Sequence, residues 1–118
     1  MRRRVALIVD DDPRIRAFIK TILEDERFET LEADGGHGAL EIVRALGWTT
    51  DLIITDIQMP KGDGLTFARI ARELLPSIPI ILISGYLRPD DRFEFVQKPF
   101  SWVTLANVVR RLVADKAA

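Results

Sequence analysis

The sequence predicts an α/β fold in which helices cover both faces of a parallel β-sheet. Short apolar runs alternate almost without exception with segments whose apolar residues recur at helical spacing. Polar residues able to bind a cation or a phosphate directly follow several of these runs. With 118 residues and no repeat, low-complexity tract or linker, the chain fits one domain over 1–118.

Five apolar runs predict five strands. The third run is apolar on both faces, as is typical of a strand buried inside a parallel sheet. The second run alternates only loosely, and the fifth is short. The predicted strands cover residues 5–9, 28–33, 52–55, 80–83 and 93–96.

Four segments with helical spacing predict helices that alternate with these strands. The first begins after Asp12, a favourable N-cap that Pro13 follows at the first helical position. The second follows the Gly35-Gly36 turn and ends near Gly47. The other two follow Asp63 and Ser101, both read as caps, and the last carries an apolar stripe of residues 102, 105, 109 and 112.

The connection between the fourth and fifth strands is unusually short. Only eight residues, 85–92, separate Ser84 from Phe93, and most of them are polar or turn-forming. A crossover between parallel strands normally needs about a dozen residues or more. Since an α-helix takes about 3.6 residues per turn, eight residues barely hold two turns. We therefore expect the fourth crossover helix to be short or absent.

Composition excludes several kinds of site. There is no cysteine and only one histidine, His37, so disulfides, thiolate zinc sites, cysteine nucleophiles and histidine-rich metal sites are excluded. The net charge of −1 gives no reason to expect nucleic-acid binding. No apolar run approaches the roughly 20 residues of a membrane span, and no signal peptide is visible. A cytoplasmic bacterial protein without nucleic-acid or membrane partners is the expectation.

Polar residues collect at the predicted carboxyl ends of the strands. Asp10 and Asp11 follow the first strand and Asp56 follows the third. Ser84 follows the fourth strand, and Lys98 lies just past the fifth. Open α/β sheets bind ligands at this edge. Four strands that each deliver a polar residue there predict a functional site.

The chemistry of these residues suits a metal ion and a phosphoryl group. Three carboxylates repel one another unless a cation joins them, and oxygen ligands of this kind suit Mg²⁺. Lys98 offers a positive charge for phosphate, and the Ser84 hydroxyl can donate to a phosphoryl oxygen. An aspartate such as Asp56 can act as a nucleophile and become an acyl phosphate.

At these residues the chain resembles the CheY-like response-regulator receiver family of two-component signalling. The matching segments occur in family order across nearly the whole chain, and their combination is highly specific. They are residues 7–13 (LIVDDDP), 54–60 (ITDIQMP), 63–64 (DG), 83–85 (ISG) and 98–100 (KPF).

The resemblance implies a flavodoxin-like five-stranded sheet of order 2-1-3-4-5. It implies that Asp56 takes a phosphoryl group from a histidine kinase or a phosphotransfer protein. Asp11, Asp56 and the backbone carbonyl of Gln58 would bind Mg²⁺ directly, while Asp10 would act mainly through water. The Lys98-Pro99 bond is cis in many relatives, and an X-Pro bond allows this.

The resemblance also implies how the phosphoryl group is held and read. Lys98 and Ser84 would hold its oxygens, and Phe95 stands at the position of the family's switch aromatic, whose ring follows Ser84. Gln58 and Tyr86 stand where the family tunes the lifetime of the acyl phosphate. The domain would then catalyse only its own phosphorylation and dephosphorylation, either alone or as a piece of a larger regulator or hybrid kinase.

Two other functions compete with the receiver. A haloacid-dehalogenase-like phosphatase would use Asp10 and Asp12 as a D-x-D pair, although the chain is short for that fold. A receiver-like scaffold would bind partners without phosphorylation, which the full set of site residues argues against. Gly62 replaces the methionine common at its position in the family, from which we expect a looser loop after the third strand.

Overall fold

The computed structural model describes the backbone of residues 3–117 and the side chains of residues 3–114. Strands and helices alternate along the chain, with one 3₁₀ turn before the third strand. The strands are β1 (Arg4–Val9), β2 (Phe28–Ala33), β3 (Leu52–Asp56), β4 (Ile80–Ser84) and β5 (Glu94–Gln97). The helices are α1 (Pro13–Asp25), α2 (Gly36–Leu46), α3 (Gly64–Leu74) and α4 (Trp102–Ala117), and the 3₁₀ turn is Gly47–Thr49.

The five strands form one parallel sheet in the order β2-β1-β3-β4-β5. This is the flavodoxin-like order, so the predicted fold class is confirmed. The three central strands are almost wholly buried because helices cover both sides. One apolar cluster packs α1 and α4 on one face of the sheet, and the other packs α2 and α3 on the opposite face.

Three predicted helix caps are present. The Asp12 side chain accepts a hydrogen bond from the Arg14 amide at 2.8 Å. Asp63 accepts from the Thr66 amide at 3.1 Å at the start of α3. The Ser101 hydroxyl accepts at 3.1 Å from an amide in the first turn of α4. Such caps satisfy amides that a helix start leaves unpaired.

The connection between β4 and β5, residues 85–93, contains no helix. We expected the fourth crossover helix to be short or absent, and in the described residues it is absent. Strand β5 begins at Glu94, one residue later than predicted. Phe93 is buried against the cluster on the α2/α3 face and occupies the end of this connection.

The start of α2 is capped by the loop that follows β3. The Gly36 amide donates to the carbonyl of Gly62 at 3.0 Å, and the His37 amide donates to that of Lys61 at 3.1 Å. Gly62 has a φ of 109°, a conformation that glycine adopts more readily than residues with a side chain. Two backbone hydrogen bonds thus join the loop to α2, and the expectation that Gly62 loosens it stays a prediction.

Within residues 3–117, no helix has both the length and the apolar character that crossing a membrane requires.

Candidate functional site

The register of the sheet brings the predicted site residues to one edge. Pairing between β1 and β3 ends at Val9 and Thr55. The next residues, Asp10 and Asp56, therefore lie side by side. The β4–β5 pairing reaches the last residue of both strands, and Lys98 follows directly after it. All of these side chains belong to the carboxyl edge, where a parallel sheet binds ligands.

Three carboxylates meet at this edge. One oxygen each from Asp10, Asp11 and Asp56 lies within 4.8 Å of the other two. Asp10 is buried, the Asp56 side chain is 12% exposed, and Asp11 is open to solvent. Hard divalent cations such as Mg²⁺ prefer oxygen ligands of this kind and keep several waters. The cluster thus offers a Mg²⁺ ion ligands on one side and solvent on the other.

Lys98 reaches across the sheet to two of these carboxylates. Its Nζ lies 3.1 Å from Oδ2 of Asp10 and 3.3 Å from Oδ1 of Asp56. The Lys98 peptide bond to Pro99 is cis, as the resemblance implied. The ammonium partly offsets the repulsion between the two carboxylates. It also places a positive charge beside the Asp56 oxygens, where a phosphoryl group attached to them would lie.

The electrostatics of the site follow from burial and from these neighbours. Burial raises the pKa of Asp56 above its usual value, and the nearby Asp10 charge raises it further against the opposing effect of Lys98. Burial by itself would lower the pKa of Lys98, but the Asp10 and Asp56 charges outweigh it, so the net shift is upward. The single ammonium of Lys98 does not balance the charge of three carboxylates, and a bound cation would supply the missing positive charge.

Two residues that the sequence did not single out hold the site in place. Arg16 donates to the backbone carbonyl of Asp10 at 2.7 Å and to Glu32 at 3.2 Å. Thr55 is fully buried, and its hydroxyl donates to the backbone carbonyl of Asp56 at 2.8 Å. A polar Thr55 at the end of an apolar strand was a visible signal. The contact of Arg16 depends on how α1 packs.

The start of α3 packs directly against the backbone that follows β3. The Gly64 amide donates to the carbonyl of Ile57 at 2.7 Å. A Cβ on Gly64 would lie 1.7 Å from the backbone oxygen of Asp56, far inside any allowed contact. The Asp56 side chain accepts from the Ile57 amide at 2.9 Å, which fixes one carboxylate oxygen. Gly64 thus allows α3 to begin against the site.

Ser84 and Phe95 lie on the same face of the sheet. Phe95 pairs with Leu82, which points to the same side as Ser84 because side chains alternate along a strand. Ser84 is buried, and its hydroxyl accepts from the Tyr86 amide at 3.1 Å. Tyr86 itself is 66% exposed. Ser84 is therefore hydrogen-bonded to the helix-free connection.

Gln58 lies in the loop two residues after Asp56, and its side chain is exposed. His37 is also exposed, as expected, at the first turn of α2. Trp102 is partly buried against the α1/α4 cluster, with its ring 6.1 Å from that of Phe18. This agrees with the predicted apolar stripe of the last helix.

Residues 6–110 match the sequence profile of the response regulator receiver domain. The chain belongs to the response-regulator receiver family. This match spans nearly all of the sheet and its helices, including every residue of the carboxylate cluster and Lys98.

Proteins of three kinds are similar to this chain: a sensor kinase, a response regulator receiver protein and a solved response regulator structure. The sensor kinase CckA of Brucella abortus is 35% identical over 91% of this chain, and the response regulator receiver protein CpdR of the same organism is 30% identical over 91%. The crystal structure of TrrA from Thermotoga maritima in complex with Mg²⁺-BeF is 34% identical, covers 92% of this chain and 98% of its own, and superimposes with a TM-score of 0.83.

These relatives differ in total length. The chain spans 12% of CckA and 15% of the sensor histidine kinase CheAY of Helicobacter pylori, but 94% of CpdR. Receivers similar to this one thus occur both within long kinases and as most of a short protein. The receiver family is a signalling module, and the acidic pocket typical of it is present here.

Proposed function

We propose that this chain is the phospho-accepting receiver of a two-component phosphorelay, with Asp56 as the acceptor. The observation that carries the proposal is the joint placement of three carboxylates within 4.8 Å and of the Lys98 ammonium 3.3 Å from Asp56. A histidine kinase or a phosphotransfer protein is the donor, and the phosphorylated domain, residues 1–118, acts on a protein target. A cytoplasmic location follows from such partners.

Mg²⁺ is the proposed cofactor, and the donor set fits it. Asp11 and Asp56 would bind the ion directly together with the backbone carbonyl of Gln58, while buried Asp10 acts through water. The ion supplies charge neutralisation for phosphoryl oxygens. Burial and, to a smaller extent, the Asp10 charge raise the pKa of Asp56, and a divalent cation would offset both effects by stabilising the ionised carboxylate.

Phosphoryl transfer needs mainly positioning and charge in this site. A carboxylate oxygen of Asp56 attacks phosphorus of a phosphohistidine as the P–N bond breaks, and the imidazole nitrogen keeps the electron pair. Lys98 holds one phosphoryl oxygen and is drawn away from Asp10 as it does so. The Ser84 hydroxyl donates to another. In hydrolysis, water attacks the same phosphorus as the bond to the Asp56 oxygen breaks, which restores the carboxylate and releases inorganic phosphate. Gln58 and Tyr86 influence how water reaches the phosphorus.

Readout would start at Ser84. Its hydroxyl now accepts from the Tyr86 amide, and a move toward a phosphoryl oxygen would break that bond. Phe95, on the same face, would then repack into the space that Ser84 leaves. Because Phe95 has no hydroxyl, the signal would be one of packing, and the helix-free connection would move with it.

The phosphatase alternative is disfavoured by the state of Asp12. That side chain caps α1 and also contacts the Arg14 guanidinium. The hydrogen bond from the Arg14 side chain holds the pKa of Asp12 below its usual value. A general acid needs the opposite shift.

The decisive experiment is phosphotransfer to the wild type and to variants, from phosphorylated histidine kinases and from acetyl phosphate with Mg²⁺. Asp56→Asn should abolish labelling, and Asp63→Asn, which retains a helix cap, should label like the wild type. Labelling that survives in Asp56→Asn but disappears in Asp10→Asn would instead support the phosphatase.

A Mg²⁺-beryllofluoride titration separates the receiver from a phosphorylation-independent scaffold. Saturable spectral changes that Asp56→Asn removes are expected. A folded wild type that shows no change with beryllofluoride and no labelling by any donor would contradict the proposal.

A further inference from the structure

A small groove lies between α3 and the beginning of β5, beside the helix-free connection. It encloses about 190 Å³ and is lined by Arg69, Arg72, Glu73, Arg92 and Phe93. Three of these five side chains are arginines. Arg69 and Arg72 belong to α3, and Arg92 belongs to the connection between β4 and β5.

Arg72 is held in this groove without a carboxylate partner. Its guanidinium carbon lies 5.0 Å from the centroid of the Phe93 ring, and one terminal nitrogen donates to the carbonyl of Ile78 at 3.3 Å. Its Nε is buried and has no hydrogen-bond acceptor. Among residues 3–114, no acidic side chain forms an ion pair with Arg72. A guanidinium in a low-polarity setting without an anion favours one strongly.

The other two arginines share a single carboxylate. Asp90 lies 3.4 Å from the Arg69 guanidinium and 2.7 Å from that of Arg92. The Asp90 side chain is only 8% exposed, whereas Arg69 and Arg92 are 51% and 71% exposed. Both guanidinium groups therefore keep donors directed to solvent. Counting Glu73, the groove has three positive charges against two negative ones.

We propose that this groove binds an acidic peptide segment of a partner protein, with one Asp or Glu carboxylate paired to Arg72. Charge complementarity supports this occupant: planar guanidinium groups recognise carboxylates through parallel hydrogen bonds. The volume suits one or two side chains, so the segment lies across the groove and inserts a single carboxylate. A crossover helix between β4 and β5 would cover this region, and its absence leaves the groove open.

Binding at the groove can be measured without phosphorylation of Asp56. The test uses the unphosphorylated, isotopically labelled domain without Mg²⁺, so its failure would leave the phosphoacceptor proposal intact. The probe is a capped twelve-residue peptide of alternating Glu and Ala, followed by chemical-shift changes. Its matched control replaces every Glu with Gln.

Shift changes are expected at the amides of residues 69–73 and 92–93 with the Glu peptide alone. Arg72→Gln should weaken binding by about tenfold, the effect of losing one charge-assisted contact, and Arg69→Gln by about threefold, the effect of losing a nearby positive charge. Arg44→Gln changes an exposed arginine of α2 outside the groove and should alter affinity less than about twofold. Glu73→Gln removes an exposed negative charge from the groove lining and should tighten binding by about threefold.

The rise in affinity for Glu73→Gln keeps the test informative even if an arginine variant is poorly folded. Equal binding of the Gln peptide would overturn the proposal, as would shift changes elsewhere on the surface or no change at all. A short DNA oligonucleotide that produces the same changes at the same charge concentration would also overturn it, since the groove would then bind polyanions in general.

Discussion

A Cβ added to Gly64 would lie 1.7 Å from the backbone carbonyl oxygen of Asp56. The first residue of α3 is therefore in direct contact with the backbone of the candidate phosphoacceptor. No residue with a side chain fits there unless the helix moves away from the end of β3.

Gly64→Ala should lower the free energy of unfolding by about 3 kcal/mol, because a backbone clash forces α3 from the loop. Urea denaturation measures this. Gly38→Ala is the matched control: its Cβ would meet nothing closer than 3.9 Å, so a gain of about 0.5 kcal/mol in helix stability is expected. Equal effects of the two changes would contradict the contact.

Arg27 lies two residues after the end of α1 and has a left-handed conformation, with a φ of 68°. For a residue with a Cβ this costs about 1 kcal/mol. Arg27→Gly should therefore raise the free energy of unfolding by about 1 kcal/mol, since glycine is favoured directly after a helix. Arg14→Gly, at the exposed first turn of the same helix, should lower it. A loss of stability in Arg27→Gly would show that its side chain contributes more than the strain.

Asp56→Asn should stabilise the metal-free protein at pH 7 by about 1 kcal/mol, because the wild type holds a charged carboxylate in a buried site. The pKa of Asp56 is raised on folding, chiefly by burial. The folded state thus binds a proton more readily, and its stability falls as pH rises through the window above 3.8. The difference in the free energy of unfolding between Asp56→Asn and the wild type should therefore shrink as the pH is lowered toward 4.

The check is urea unfolding from pH 4 to pH 8 with chelator present. Asp63→Asn exchanges one exposed cap for another and should stay near the wild type at every pH. A stabilisation of Asp56→Asn that does not depend on pH would rule out the charge as its cause.

Mg²⁺ should raise the thermal stability of the wild type. At free Mg²⁺ ten times the dissociation constant, the gain is about 1.4 kcal/mol. Asp11→Asn removes an exposed ligand and should abolish most of this gain. Asp34→Asn is the control, because that carboxylate directly follows β2 but pairs with Lys61 outside the cluster. Loss of the gain in both variants would point to general salt effects.

Asp90 is the anchor of the helix-free connection, since it accepts from the Arg92 amide at 3.0 Å and from two guanidinium groups. Asp90→Asn should speed trypsin cleavage after Arg92 several-fold. Asp91→Asn is the neighbouring control. The Asp91 side chain is 99% exposed, and its ion pair with Arg88 is long, at 3.9 Å. Equal cleavage of both variants would show that Asp90 does not hold the segment.

The pH dependence of this anchor has the usual sign for an acid. The hydrogen bond from the Arg92 side chain holds the pKa of Asp90 well below 3.8. Ionised Asp90 therefore contributes its full stabilisation of the folded connection above pH 3.8. This stabilisation is lost as the pH falls from 3.8 through the lower pKa that Asp90 has in the folded protein. Hydrogen exchange in residues 85–92, corrected for intrinsic rate, should increase only once the pH falls below 3.8.

The sequence alone determined the strand and helix order, the missing crossover helix and the edge at which Asp10, Asp11, Asp56, Ser84 and Lys98 meet. Local rules suffice for these features. Apolar periodicity defines each element, caps such as Asp12 and Ser101 start the helices, and a parallel sheet places all strand ends at one edge.

The tertiary structure decided the contacts between elements distant in sequence. The bond from Arg16 to Asp10, the fit of Gly64 against Asp56 and the capping of α2 by Lys61 and Gly62 depend on how helices pack on the sheet. So does the groove at Arg72, which exists because a short connection leaves part of α3 uncovered. Periodicity shows which face of an element is buried, but the neighbours of each side chain depend on the packing of the whole chain.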